Sequence, residues 1–193
     1  MTQNLINCHV NDALDHINQA EYGDHFIIVY PDLATLRKLY SSYTHKQLEE
    51  NNEIVVINPF YETIDSAKQV LCRYDNGIDN ISKYENENAL VIADSLEEYL
   101  GDNPLIYVKK GLANCTKNGK NGLSVLADMG AYSHRSKYKE LVDYELSLPA
   151  KYDVPMKGFC LYHQRDFDRL SEEYREKLVE HHGKALKIIE AST

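Results

Sequence analysis

"HFIIVYPDLATLRKLYSSYTHKQLEENN", His25 to Asn52, decides the fold. Its first six residues, His25 to Tyr30, are a short apolar run rich in β-formers, with no polar alternation. That pattern reads as a strand buried on both faces. Pro31 and Asp32 then suit a helix start, and Leu33, Leu36, Tyr40 and Tyr43 recur at helical spacing. A doubly buried strand running straight into such a helix is the unit of a parallel sheet with helical crossovers.

The unit repeats outward along the chain. "EIVVIN" (Glu53–Asn58) is a strand and "YETIDSAKQVLCRY" a helix. "ALVIAD" (Ala89–Asp94) is a strand, with a helix from Pro104 to about Asn118. "GLSVLADM" (Gly122–Met129) precedes a helix over "SHRSKYKELVDYELSL", opened by Ser133. "KGFCLY" (Lys157–Tyr162) precedes a helix from Asp168 to His182, stopped by Gly183. "ALKIIE" (Ala185–Glu190) closes the series. On the other side, Val10, Leu14 and Ile17 mark one face of a short helix over Val10–Ala20. The spacing predicts an α/β fold: three layers, a mostly parallel sheet, and helices on both faces. Residues 1–21 read as an N-terminal helical extension and 22–193 as a single domain. Asp75–Asn88 and Leu96–Asn103 read as loops or excursions.

Bulk properties narrow the function. The chain has 193 residues, enough for one sizeable domain, and 43% hydrophobic residues, enough to bury a core. Its net charge of -9 argues against binding nucleic acid or an anionic membrane surface directly, since both need a basic face. No long uncharged apolar run offers a membrane span. Met1–Gln19 is polar and lacks an apolar signal core, so a cytoplasmic protein is expected. Cys8, Cys72, Cys115 and Cys160 stand far apart with no C-x-x-C, and Cys72 and Cys160 read as small core residues.

Ligands of parallel sheets bind at the carboxyl ends of the strands. "MKGFCLYHQRDF" (Met156–Phe167) ends its apolar run in a polar cluster at such an end. "YPDLATLRK" occupies the place of a phosphate loop after the strand at His25 and contains no glycine, against a standard nucleotide triphosphatase. Asp94 and Asp128 end apolar strands, where a magnesium-positioning aspartate would stand, though aspartate also starts turns there. Glu145 falls on the inward stripe of Tyr138, Leu141, Val142 and Leu148, so it needs a partner or a pocket. Arg165 is the expected cation, making either an internal ion pair or a ligand-facing one. Asp166 reads as the cap of the helix that follows. His181 and His182 read as complements to a helix dipole before a glycine cap. His25 and His163 sit at opposite ends of their strands, and His163 is the better site candidate. Of fifteen tyrosines, Tyr22, Tyr30, Tyr132 and Tyr162 fall near element ends, where they either line a pocket or replace phenylalanine at the core rim. The candidate ligand-binding set is Tyr30, Asp128, Glu145, Tyr162, His163 and Arg165. No catalytic residue, cofactor or metal site is expected.

Several stretches together carry a family resemblance: "YGDHFIIVY", "LEENNEIVVINPFYETIDSAKQVL", "GIDNISKYENENALVIADSLEEYL", "GLSVLADMGAY", "YELSLP" and "CLYHQRDF". In this order they resemble the MEDS domain, the methanogen/methylotroph sensory domain, over roughly Tyr22 to Ile189. The resemblance implies a RecA/KaiC-like α/β fold that has lost its phosphate loop. By the same resemblance His25 is a strand-opening histidine, Tyr30 a strand-end tyrosine, Glu145 a helix glutamate and His182 a late histidine. Tyr162, Arg165 and Phe167 match a "QYDRRRF"-like element. "ADMGAY" departs from the Glu-Met-x-Trp-type sequence of many members, so the pocket wall is expected to differ. The implied function is a stand-alone sensory domain for an unknown small molecule, such as a methylated or halogenated one-carbon compound. It would signal through a separate output protein, a kinase or transcription regulator. The rival expectations are a nucleotide-binding protein or enzyme using the same sheet edge, and a purely structural homodimer module.

Overall fold

The computed structural model describes residues 5–74, 77–102 and 104–189. The elements in chain order are β1 (Ile6–Cys8), α1 (Val10–Asn18), β2 (His25–Tyr30), α2 (Leu33–Glu49), β3 (Ile54–Asn58), α3 (Ile64–Arg73), α4 (Ile81–Asn86), β4 (Leu90–Ile92), α5 (Ser95–Leu100), α6 (Ile106–Lys117), β5 (Leu123–Asp128), α7 (Gly130–His134), α8 (Tyr138–Ser147), β6 (Met156–His163), α9 (Gln164–Phe167), α10 (Glu172–His181) and β7 (Lys184–Ile188). The seven strands form one sheet in the order β1-β7-β2-β6-β5-β3-β4, every pairing parallel. The expected fold class is observed.

Strand alternation divides the core in two. Phe26, Ile28 and Tyr30 of β2 point to the face shared with Leu126, Phe159 and Leu161, where Ile17, Leu39, Tyr43 and Leu71 of α1 to α3 pack. His25, Ile27 and Val29 point the other way, and the last two join Val125, Ala127, Cys160 and Tyr162 under Val108, Tyr132, Leu141 and Leu178. Helices α1 to α4 therefore cover one face and the later helices the other. β2, β3 and β5 are buried along their whole length, which explains why they lack polar alternation. Each such Ile, Leu or Phe contributes roughly 1.5–3 kcal/mol by leaving water.

Local chemistry sets most helix starts. Asp32 accepts from Thr35 N–H, Thr63 from Ser66 N–H, Asp94 from Leu96 and Glu97 N–H, and Ser171 from Tyr174 N–H. Asp94 is thus a cap. The helix expected over 133–148 is two helices, because Ser136 sits at φ 53, a left-handed conformation that α-helix cannot continue through. The helix expected over 168–182 begins only at Glu172. Ser171 caps α10, and Asp166 lies inside α9, so Asp166 is not its cap. Asp166 is buried instead and accepts from the Tyr61 hydroxyl. Helix α10 ends at His182, whose backbone is extended (φ -84, ψ 147), and Gly183 serves as no left-handed cap.

The segment expected as a helical extension supplies α1 and also β1, an edge strand paired with β7. The two expected excursions hold α4 and α5. Cys72 is exposed, not a core residue. Residues 1–4, 75–76, 103 and 190–193 of the expected elements and domain bounds lie outside the described residues. Among the described residues no helix is long and apolar enough to cross a membrane.

Candidate functional site

Parallel register brings the openings of β2 and β7 together. Phe26 pairs with Lys184, and Gly183 N–H donates to the His25 carbonyl at 2.9 Å. His182, closing α10, is thereby set beside His25, the first residue of β2, with ring centroids 4.2 Å apart. On the next strand Gly158 lies opposite His25, and Cys160 follows two residues on along the same face. Helix α8 crosses this face and lowers Glu145 into the group. His25, Glu145 and His182 have side chains with no solvent exposure.

Each group has a defined role. Glu145 Oε1 accepts from the Tyr162 hydroxyl at 2.7 Å. Its Oε2 lies 3.3 Å from Cys160 Sγ, 3.4 Å from His182 Nε2 and 3.8 Å from His25 Nε2. His25 Nε2 is 3.3 Å from Cys160 Sγ. Both histidines turn Nδ1 outward to backbone carbonyls, His25 to Pro149 O at 3.2 Å and His182 to Leu178 O at 2.6 Å. A carbonyl can only accept, so Nδ1 carries the proton in each and Nε2 faces inward. Burial pushes Glu145 up, but His182, His25 and the Tyr162 hydroxyl outweigh it and hold the carboxyl down at about 2. Burial, then His182, lowers His25 to about 4 against the pull of Glu145. Burial, with Glu145 adding to it, pushes the Cys160 thiol well up. The four groups are of the kinds that ligate transition metals, and their ligand atoms lie within 4.8 Å of one another.

Cys160 is also a wall of an apolar cavity of about 50 Å³. Tyr99, Tyr144, Tyr152, Val108, Ala127 and Met129 line it with Cys160. Its volume is several times the roughly 10–15 Å³ that one water needs. Tyr152 covers one side by lying against Gly158, where an added Cβ would stand 2.7 Å from its hydroxyl oxygen. The Tyr152 ring in turn lies 5.0 Å from that of His25. Tyr99 donates to Asn58 Oδ1 at 3.0 Å, whereas the Tyr144 and Tyr152 hydroxyls make no hydrogen bond among the described residues.

The six candidate residues read from sequence do not form one site. Glu145 and Tyr162 belong to the buried group just described, Tyr162 reaching Glu145 from near the carboxyl end of β6. Tyr30, Asp128 and His163 lie at the carboxyl ends and on the other face. There Tyr30 donates to Asp128 Oδ2 at 2.8 Å, Gly130 N–H donates to Asp128 Oδ1 at 2.9 Å, and the rings of Tyr30 and His163 are 5.3 Å apart. Arg165 does not pair with Glu145. Its side chain is 58% exposed and reaches Asp166 and the Tyr61 hydroxyl. The physical reason is that β6 ends at His163, and the turn into α9 directs Arg165 away from the face under α8.

The family model described as "MEDS: MEthanogen/methylotroph, DcmR Sensory domain" matches residues 24–182. The chain belongs to the MEDS family. No curated protein and no solved structure matches it. The MEDS match opens one residue before His25 and closes on His182, so all four converging groups fall within it.

Reasoning from residue types missed most of this MEDS centre. His25 reads as a strand opener, His182 as a helix end, and Cys160 as core. The available signals were a histidine opening a fully apolar strand and a His-His pair just before the strand that pairs with it. The cavity tyrosines Tyr99, Tyr144 and Tyr152 left no signal, because they come from separate helices and a loop.

Proposed function

We propose that this MEDS protein is a small-molecule sensor whose ligand enters the cavity between α5, α6, α8 and the sheet, beside Cys160. The observation that carries the reading is a small apolar chamber lined by Tyr144 and Tyr152, whose hydroxyls make no hydrogen bond among the described residues. An apolar wall with a few donors is the make-up of a small-molecule site. The volume suits a ligand of a few heavy atoms with one acceptor group, such as a short alcohol or ketone. At the carboxyl edge, by contrast, Tyr30 and Asp128 bond to one another and Tyr61 bonds to Asp166, so those groups are already engaged. Occupancy would shift α6 and α8 and so signal to a separate output protein.

Backbone-amide NMR titration with a panel of such small molecules tests the reading. One or more should shift resonances of α6, α8 and β6 in a saturable way. Ala127→Leu, which fills the cavity, should abolish the shifts. Saturable shifts that persist unchanged in Ala127→Leu, or none with any member, would count against the cavity.

A further inference from the structure

The geometry points to a transition-metal site formed by His25 Nε2, Glu145 Oε2, Cys160 Sγ and His182 Nε2, taking one divalent ion of the zinc type. It stands whether or not the neighbouring cavity receives a ligand.

Distances come first. Zinc bonds of about 2.0–2.3 Å in a tetrahedron set neighbouring ligand atoms roughly 3.3–3.8 Å apart. Four of the pairs here are 3.3, 3.3, 3.4 and 3.8 Å, and none of the six exceeds 4.8 Å. Four of the six pairs thus already stand at the spacing that a shared tetrahedral ion requires.

Orientation comes second. Both imidazoles hand their Nδ1 proton to a backbone carbonyl, the arrangement that fixes a metal-binding histidine with Nε2 as donor. Tyr162 occupies Glu145 Oε1, which leaves Oε2 as the ligand atom. His182 Nε2 is fully buried and has no hydrogen-bond partner among the described residues. It faces the Glu145 carboxylate oxygen at 3.4 Å without a hydrogen bond to it. Two electron-rich atoms so placed call for a cation between them. A proton on Nε2 would answer that one contact, whereas a metal ion answers all four.

Charge and donor type come third. On binding, the Cys160 thiol loses its proton to solvent and becomes a thiolate. One thiolate, one carboxylate, two neutral imidazoles and a 2+ ion sum to zero, which is the charge a buried site tolerates. Thiolate and imidazole select zinc, iron(II) or cobalt(II) over magnesium or calcium. All four positions come from protein, as in structural zinc sites, so the ion would fasten α8 and α10 to β2 and β6 and supply no open position for water.

The test uses the full chain, exposed to excess zinc and then desalted. Elemental analysis should find one zinc per chain, and a chelator should lower the melting temperature. Cobalt(II) in its place should give intense visible bands of tetrahedral geometry and a near-ultraviolet sulfur-to-cobalt band. Cys160→Ser should lose the sulfur band, and His182→Gln should weaken zinc at least tenfold, while His134→Gln, on the surface, should do neither. Retention of no zinc, with melting unchanged by zinc or chelator, would overturn the site. So would a cobalt spectrum without the sulfur band in the unsubstituted protein, a reading that needs no variant to fold. Zinc held equally well by a folded His182→Gln would also overturn it.

Discussion

Asp128 is the group whose titration the structure predicts most sharply. It is buried, at 1% exposure, and its carboxyl accepts from Gly130 N–H and the Tyr30 hydroxyl. Burial raises its pKa first, and Asp166 adds to this. The bonds from Gly130, Tyr30 and the Phe60 backbone recover only part, leaving it at about 7 against an ordinary 3.8. A carboxyl with a raised folded pKa binds more protons in the folded chain than in the unfolded one. Stability is therefore lost as pH rises from about 4 to about 7 and levels off above. At about 1.4 kcal/mol per pH unit, the whole window is worth roughly 4 kcal/mol. Asp128→Asn keeps the shape and can still accept from Gly130, while the Tyr30 hydroxyl can rotate to accept from the new amide. The assay is urea unfolding of both proteins from pH 4 to 8. His163, lowered by burial, titrates in the same window with opposite sign, so the difference between the two proteins isolates Asp128. The variant should gain on the parent as pH rises, by roughly 4 kcal/mol in total. Parallel stability curves would refute the reasoning and place a solvated carboxylate at this strand end.

Three further outcomes are expected. Arg165→Met should cost under about 0.5 kcal/mol and be additive with Glu145→Gln, which should cost about 3 kcal/mol, in a double-mutant cycle; a coupling above about 1 kcal/mol would restore the pair. Lys157→Met should cost about 3–5 kcal/mol by denaturant unfolding, since it strands Glu53, which is bonded to Lys157 Nζ at 2.7 Å, and Glu53→Gln in the same chain should recover much of that loss. Ser171→Ala should cost about 1 kcal/mol through the lost cap of α10, and an unchanged thermal midpoint would count against the cap.

The layers were legible in the sequence because strands buried on both faces must be continuously apolar, and "HFIIVY" and "IVVIN" are. That same continuity hides which face each residue takes. Without alternation, Tyr30 and Tyr162 look equivalent as strand-end tyrosines, yet they point to opposite sides. Glu145 was legible as a buried carboxylate in need of a partner. Its partners were not, because searching for an Arg or Lys nearby in sequence passes over imidazoles. His25 and His182 are 157 residues apart by number and meet only because β7 pairs with β2 in a register that sets Lys184 against Phe26. Sequence order carries no such pairing. The break at Ser136 and the late helix start after Ser171 were hidden for a different reason: the apolar stripe persists across the first, and a serine in a polar stretch advertises a cap only once the helix start is known.

The claim that a small molecule occupies the chamber beside Cys160 is met most directly by native mass spectrometry of freshly purified protein. The account predicts a mass increment of a small organic molecule, separate from any metal increment. It should be present in the parent, released by mild activation, and missing from Ala127→Leu. An organic increment equally present in Ala127→Leu, or none in a parent incubated with every member of the panel, would contradict it.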